Sequence, residues 1–207
     1  MTAQAAAPGK PFLYVVVCAA GVASGVEELI AAAQERGWEV GVLATPLALG
    51  FFDTAAVEAR TGRVIRSAWR LPGEPRPFPP PDAVAVAPAT FNTLNKWAAG
   101  ISDTLALGTL NEAYGLGVPI GVLPCVGEAL AAHPAYAAGL RRLREMGVRF
   151  ADPYAGTGTA ADADADADGD GDSDGDGDSD GDRPVFRWER VLDLLPQPPA
   201  RENTDGA

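Results

Sequence analysis

Ala83-Val84-Ala85-Val86-Ala87-Pro88-Ala89-Thr90-Phe91-Asn92-Thr93-Leu94 changes character twice within one short stretch. The run from Ala83 to Val86 is apolar at every position, as in a strand buried on both faces of a parallel sheet. Pro88 lacks an N–H and is expected to stop that strand. Thr90, Asn92 and Thr93 then crowd hydroxyl and amide groups at a turn, and a helical pattern runs from Leu94 towards Tyr114. The free N–H groups of a helix start, with such side chains beside them, can hold a phosphate or a polar ring edge. The same residues also suit an ordinary N-cap.

The segments around this stretch alternate in the same way. Leu13–Cys18 reads as a strand, Gly25–Arg36 as a helix and Glu39–Leu43 as a second strand, with Gly37 placed where a helix end needs a positive φ. Phe51–Arg60 reads as helical, Val64–Ser67 as a short strand and Ala83–Ala87 as a long one. Pro119–Leu123 is the next strand, Pro134–Met146 the next helix, and Arg149–Phe150 a short edge strand. Strands that are apolar throughout, alternating with helices, predict an α/β fold. Its expected form is a doubly wound parallel sheet sandwich, Rossmann-like or flavodoxin-like, with ligands at the carboxyl ends of the strands.

Two stretches break the alternation. Leu71–Pro81 (LPGEPRPFPPP) holds six prolines and reads as a stiff connector or a lid. The second is a low-complexity Asp/Ala/Gly/Ser tract with aspartate at every second position from Asp162 to Asp182. It cannot bury apolar area and is expected to be a disordered insertion. Its DxDxDG spacing looks like a calcium loop but lacks the bidentate glutamate, so no metal site is expected. Val185–Leu195 then regains a helical period and is expected to dock back on the domain. The expected organisation is a disordered leader at 1–10, a domain at 11–153, the insertion at 154–183, a C-terminal helix at 184–196 and a disordered tail at 197–207.

The formal charge of −12 comes almost wholly from the eleven aspartates of the tract, so the folded part is nearly neutral. With no basic patch there is no support for nucleic-acid binding. Cys18 and Cys125 read as reduced, partly buried thiols rather than a disulfide framework, and the one histidine, His133, offers no metal-ligand spacing. Phe12–Ala23 is too short to span a bilayer and runs directly into a helix and a second strand. The expectation is a cytoplasmic protein without membrane attachment.

Three further turns fall in the same layer. Ala19-Ala20-Gly21-Val22-Ala23-Ser24-Gly25 is small enough for close approach of a ligand to the backbone, and Ser24 can cap a helix or meet a phosphate. It has no GxGxxG pattern, so a dinucleotide fingerprint is absent. Thr45-Pro46 ends the second strand, and Ser102-Asp103 adds a polar pair, with Asp103 open to a capping role.

Pro88-Ala89-Thr90-Phe91-Asn92-Thr93-Leu94-Asn95-Lys96, followed by Ala99-Gly100-Ile101-Ser102-Asp103, resembles the PASANT and NGI(C/A)DNLL signature of the flavin-containing cysteine decarboxylases. That family includes phosphopantothenoylcysteine and lantibiotic cysteine decarboxylases and, more distantly, flavin prenyltransferases. The resemblance covers about Phe12 to Phe150. It implies FMN bound at a subunit interface in a homo-oligomer, often a trimer, acting on a small molecule. By resemblance, Ser24 or its neighbouring amides and Thr45 hold the FMN phosphate, Thr90, Asn92 and Thr93 contact the ribityl chain and ring edge, and Asp103 assists.

The chain also departs from the pattern. The decarboxylases' histidine, about fourteen residues before the signature proline, falls on Glu74. The asparagine of their Pro-x-Met-Asn-x-x-Met-Trp motif falls on Gly127, and its methionine on Val126. The acidic tract stands where their substrate clamp is expected. The resemblance with these losses implies an altered flavin-dependent reaction, as a lyase or oxidoreductase, rather than the usual decarboxylation. A prenyltransferase-like enzyme, favoured by Gly21–Gly25, and a non-enzymatic nucleotide-binding or assembly module are the alternatives. His133 reads as a capping or a catalytic residue, and Cys125 as a core or a flavin-adjacent thiol.

Overall fold

In the computed structural model, residues 10–74, 76–155 and 185–198 are described. Most of the expected leader and tail, and nearly all of the acidic insertion, lie outside them. Five parallel strands form one sheet in the order β2-β1-β3-β4-β5. They are β1 (Phe12–Val17), β2 (Glu39–Ala44), β3 (Ala83–Ala89), β4 (Ile120–Pro124) and the edge strand β5 (Arg149–Phe150).

The pleat of β1 divides the core. Leu13, Val15 and Val17 point to one face, against Val26, Leu29 and Ile30 of α1 (Val26–Glu35) and Val57 of α2 (Thr54–Thr61). Phe12 and Val16 point to the other, against α3 (Phe91–Ala98), α4 (Leu105–Gly115) and α6 (Pro134–Glu145). A parallel sheet covered on both faces explains why the strands carry apolar residues at nearly every position. A short α5 (Glu128–Ala131) precedes α6.

The C-terminal segment lies on the α1 face. Phe186, Trp188, Val191, Leu192 and Leu195 are buried in that core, which is worth on the order of 10 kcal/mol before ordering entropy is subtracted. Only Arg190–Asp193 (α7) is helical, so the expected helix is mostly irregular chain that still buries its apolar side chains. A Cβ at Gly121 of β4 would lie 3.0 Å from the Val191 carbonyl oxygen, so this close approach depends on glycine. Arg149 donates to Leu194 O at 2.8 Å, and Arg36 pairs with Asp193 at 2.7 Å.

Four expectations need correction. Pro88 does not end β3, which runs to Ala89. The ladder with β4 shifts register between Val86 and Ala89, and at such an irregularity a residue without an N–H costs no ladder bond. The helix expected from Leu94 to Tyr114 is two helices, because Gly100 takes a left-handed φ of 74° and the chain leaves the helix until Thr104. Val64–Ser67 makes only an isolated parallel bridge, Leu43 to Arg66. The helix expected from Phe51 starts only at Thr54, after Asp53 accepts from the Ala56 N–H.

Candidate functional site

The strand order reverses direction between β1 and β3, the point at which open α/β sheets take their ligands at the carboxyl ends of the strands. Backbone bonds continue past the strand ends and fix a row of turns. Thr45 N–H donates to Val17 O at 2.9 Å, Cys18 N–H to Pro88 O at 3.2 Å and Cys125 N–H to Ala89 O at 2.8 Å. The turns after β2, β1, β3 and β4 therefore stand side by side. They carry Thr45, Ser24, the Thr90–Thr93 turn and Cys125–Gly127.

The centre of the row is a chain of small polar groups. The buried Cys18 thiol donates to Thr93 Oγ1 at 3.3 Å, and Thr90 Oγ1 donates to the same oxygen at 3.3 Å. Thr93 is itself buried. Thr90 stands at the N-cap position of α3, yet its side chain makes no cap bond to the helix. The first-turn N–H groups of α3 are left without a side-chain acceptor. The ordinary N-cap reading of Thr90 is thus not what the side chain does.

The same holds along the row. The starts after β1 (at Ala20 and Gly25), after β2 (at Thr45) and after β4 (at Gly127) carry no side-chain cap bond. Ser24 does not cap α1: its hydroxyl donates to Gly21 O at 3.4 Å, a long bond, and is exposed. A Cβ at Gly21 or Gly127 would meet nothing within 4 Å, so both turns face open space. Gly25 is different, since a Cβ there would come within 2.9 Å of the Trp188 indole nitrogen. That glycine lets the C-terminal segment support the turn from behind.

The remaining sequence candidates separate. Asn92 is exposed on the first turn of α3. Asp103 is paired with Lys96 at 2.6 Å, and Thr104, not Asp103, caps α4 by accepting from Leu107 N–H at 3.2 Å. Ser102 Oγ accepts from Asn111 Nδ2 at 2.8 Å. His133 is a cap: its Nδ1 accepts from Ala135 N–H at 3.1 Å.

Sequence reasoning missed Tyr154, whose hydroxyl lies 4.0 Å from Cys125 Sγ while its ring meets Phe186 edge-on. It fell within the stretch expected to be disordered, and no local pattern distinguishes it there. Burial pushes the Cys18 and Cys125 thiols up, and it raises the Tyr154 phenol well above its ordinary value. At neutral pH these groups are protonated donors rather than anions. Among the described residues no group of His, Cys, Asp and Glu is arranged to hold a metal ion, and no helix is long and apolar enough to cross a membrane.

A sequence profile of the Flavoprotein family matches residues 5–167. The chain belongs to the Flavoprotein family. Its fold is that of solved members of the same architecture. An FMN-dependent cysteine decarboxylase, TvaF, from thioviridamide biosynthesis is 30% identical, with a TM-score of 0.59 over 70% of this chain and 92% of its own. A PPC decarboxylase variant complexed with pantothenoylaminoethenethiol is 23% identical, with a TM-score of 0.60 over 70% of this chain and 83% of its own. The bifunctional coenzyme A biosynthesis protein CoaBC of Thermococcus kodakarensis is 35% identical over 72 residues. That match spans 35% of this chain and only 18% of the relative's length.

The structure also places Glu74 and Gly127, which the sequence set opposite the decarboxylases' histidine and asparagine. Glu74 turns its carboxylate into its own loop, accepting from Leu71 N–H at 2.9 Å. Gly127 opens α5 with an ordinary φ of −62°, a conformation open to any side chain.

Proposed function

We propose that this flavoprotein binds FMN at the turns after β1, β2 and β3 and carries out a flavin-dependent reaction on a small molecule. The observation that carries this reading is the row of helix starts at the carboxyl ends of β1, β2 and β3 that no side chain caps. A phosphate and a polar ring edge are what the amides of such starts accept. Ser24, Thr45 and the Gly21–Gly25 amides are assigned to the phosphate, and Thr90, Asn92 and Thr93 to the ribityl chain and ring edge. Asp103 has a lesser role in this assignment, since Lys96 already holds its carboxylate. Bound FMN supplies the redox chemistry of its isoalloxazine ring, and the protein supplies orientation and electrostatics.

The reaction differs from cysteine decarboxylation. Glu74 is committed to its loop and Gly127 has no side chain, so neither can take the histidine's or the asparagine's part. The protonated Cys125 and Tyr154 pair at the end of β4 offers hydrogen-bond donors there instead. Exposed Leu47, Leu49 and Phe51 beside Thr45 support self-association at this edge, in line with the implied homo-oligomer.

The test is FMN titration followed by the visible spectrum. A yellow protein that releases no carbon dioxide from peptidyl or pantothenoyl cysteine is expected. A protein that stays colourless with added FMN contradicts the binding assignment, and carbon dioxide release contradicts the altered reaction.

A further inference from the structure

A cavity of about 510 Å³ lies on the α4 face of the sheet, roofed by the proline-rich loop. None of its lining residues belongs to the turns that carry Ser24, Thr45 or Thr90–Thr93. We propose that this cavity is a second ligand site, for a small organic anion with an aromatic or acyl body.

The roof is built rather than loosely draped. The Tyr14 hydroxyl donates to Pro79 O at 2.8 Å, and the Phe78 ring packs on Phe12 and Tyr14 with centroids 5.9 and 5.8 Å away. Arg70 Nη1 donates to Glu74 O at 2.8 Å, closing the loop on itself. At the other wall the Trp69 indole rests on Gly108 of α4, where a Cβ would run into the ring. The volume is that of an ordinary small-molecule site, roughly 300–1,000 Å³.

The charge specifies the ligand. Arg66, Arg70 and Arg76 all line the cavity, against one acidic residue, Glu112. Elsewhere Arg36, Arg60 and Arg63 are each paired with a carboxylate, whereas among the described residues none of the three cavity arginines is. Guanidinium groups beside Trp69, Phe78 and Leu116 match an oxyanion carried on an apolar body, and they bind carboxylate and phosphate alike. The proposal does not rest on the flavin reading.

Trp69 supplies the readout, because it is 56% exposed while Trp38, Trp97 and Trp188 are buried. Acrylamide quenching of tryptophan fluorescence is measured on the full chain, both without FMN and with excess FMN, with phenyl phosphate as the probe, and the same shielding is expected in both. Phenyl phosphate is expected to shield Trp69 saturably, about tenfold more tightly than phenol or inorganic phosphate, since both the charge and the ring are used. Arg70→Ala/Arg76→Ala is expected to abolish the shielding. Leu116→Glu, at a rim position that is 69% exposed and tolerant of substitution, is expected to weaken it several-fold even if the double variant folds poorly. Equal binding of phenol, or unchanged binding in Leu116→Glu, overturns the proposal. So does a Trp69 already shielded without probe and exposed on dilution, which assigns the cavity to a second copy of the chain.

Discussion

Helices of this protein begin in two ways. Three of them, α2, α4 and α6, are capped by their own sequence, by Asp53, Thr104 and His133, whereas α1, which also starts one turn past its strand, is not. The starts that directly follow β1, β2, β3 and β4 are not capped by a side chain. Thr90 makes the contrast sharpest, because it is a good capping residue that spends its hydroxyl on Thr93 instead. Open amides cost stability unless water or a ligand satisfies them. Uncapped starts cluster at the carboxyl edge of the sheet, where the proposed site lies.

The largest expected effect breaks the uncapped side. Thr90→Ala/Asn92→Ala should weaken FMN binding by about 30- to 160-fold, at about 1–1.5 kcal/mol per lost hydrogen bond, while leaving the melting temperature of the FMN-free protein nearly unchanged. FMN titration by fluorescence, with calorimetry of the FMN-free protein, checks both halves. Next comes the support behind the turn after β1. Gly25→Ala drives a methyl into the Trp188 indole and should cost about 1–3 kcal/mol in chemical denaturation.

The capped side should respond in the opposite sense. Asp53→Ala and Thr104→Ala should each cost about 1 kcal/mol of stability, with FMN affinity unchanged. If Thr104→Ala also weakened FMN binding, the two classes of helix start would not be separable. The smallest effect is expected from pH. Burial raises Cys18 and Cys125 above the ordinary thiol value, so folding favours the protonated thiols. Their contribution is fully present below that value and is lost as pH rises through the higher folded values. The melting temperature should hold between pH 6 and 8, and begin to fall above about pH 9 by more than in Cys18→Ser.

Much of the fold was legible because strand and helix differ in period and the strands are apolar throughout, as Leu13–Val17 and Ala83–Val86 show. Gly37 ends its helix with a φ of 93°, the role its position implied. Gly100 was the hidden break, since the apolar spacing on either side of it reads as one helix. In the C-terminal segment, burial of Phe186 and Trp188 is decided by the sheet face they reach, so a helical period overstated how much of it is helix. For the candidate site, the polar residues that the sequence offered at strand ends, Ser24, Thr45 and Thr90–Thr93, do stand in one row of turns. What a sequence does not carry is which partner a hydroxyl chooses. Thr90 and Thr104 look alike as capping residues, yet only Thr104 caps.

Amide hydrogen exchange with and without FMN reads that choice directly. The account predicts that FMN slows exchange at residues 20–26, 45–48 and 90–94 and leaves 53–56, 104–107 and 133–136 unchanged. Protection confined to the capped starts, or none at any helix start in a protein that has bound FMN, would contradict it.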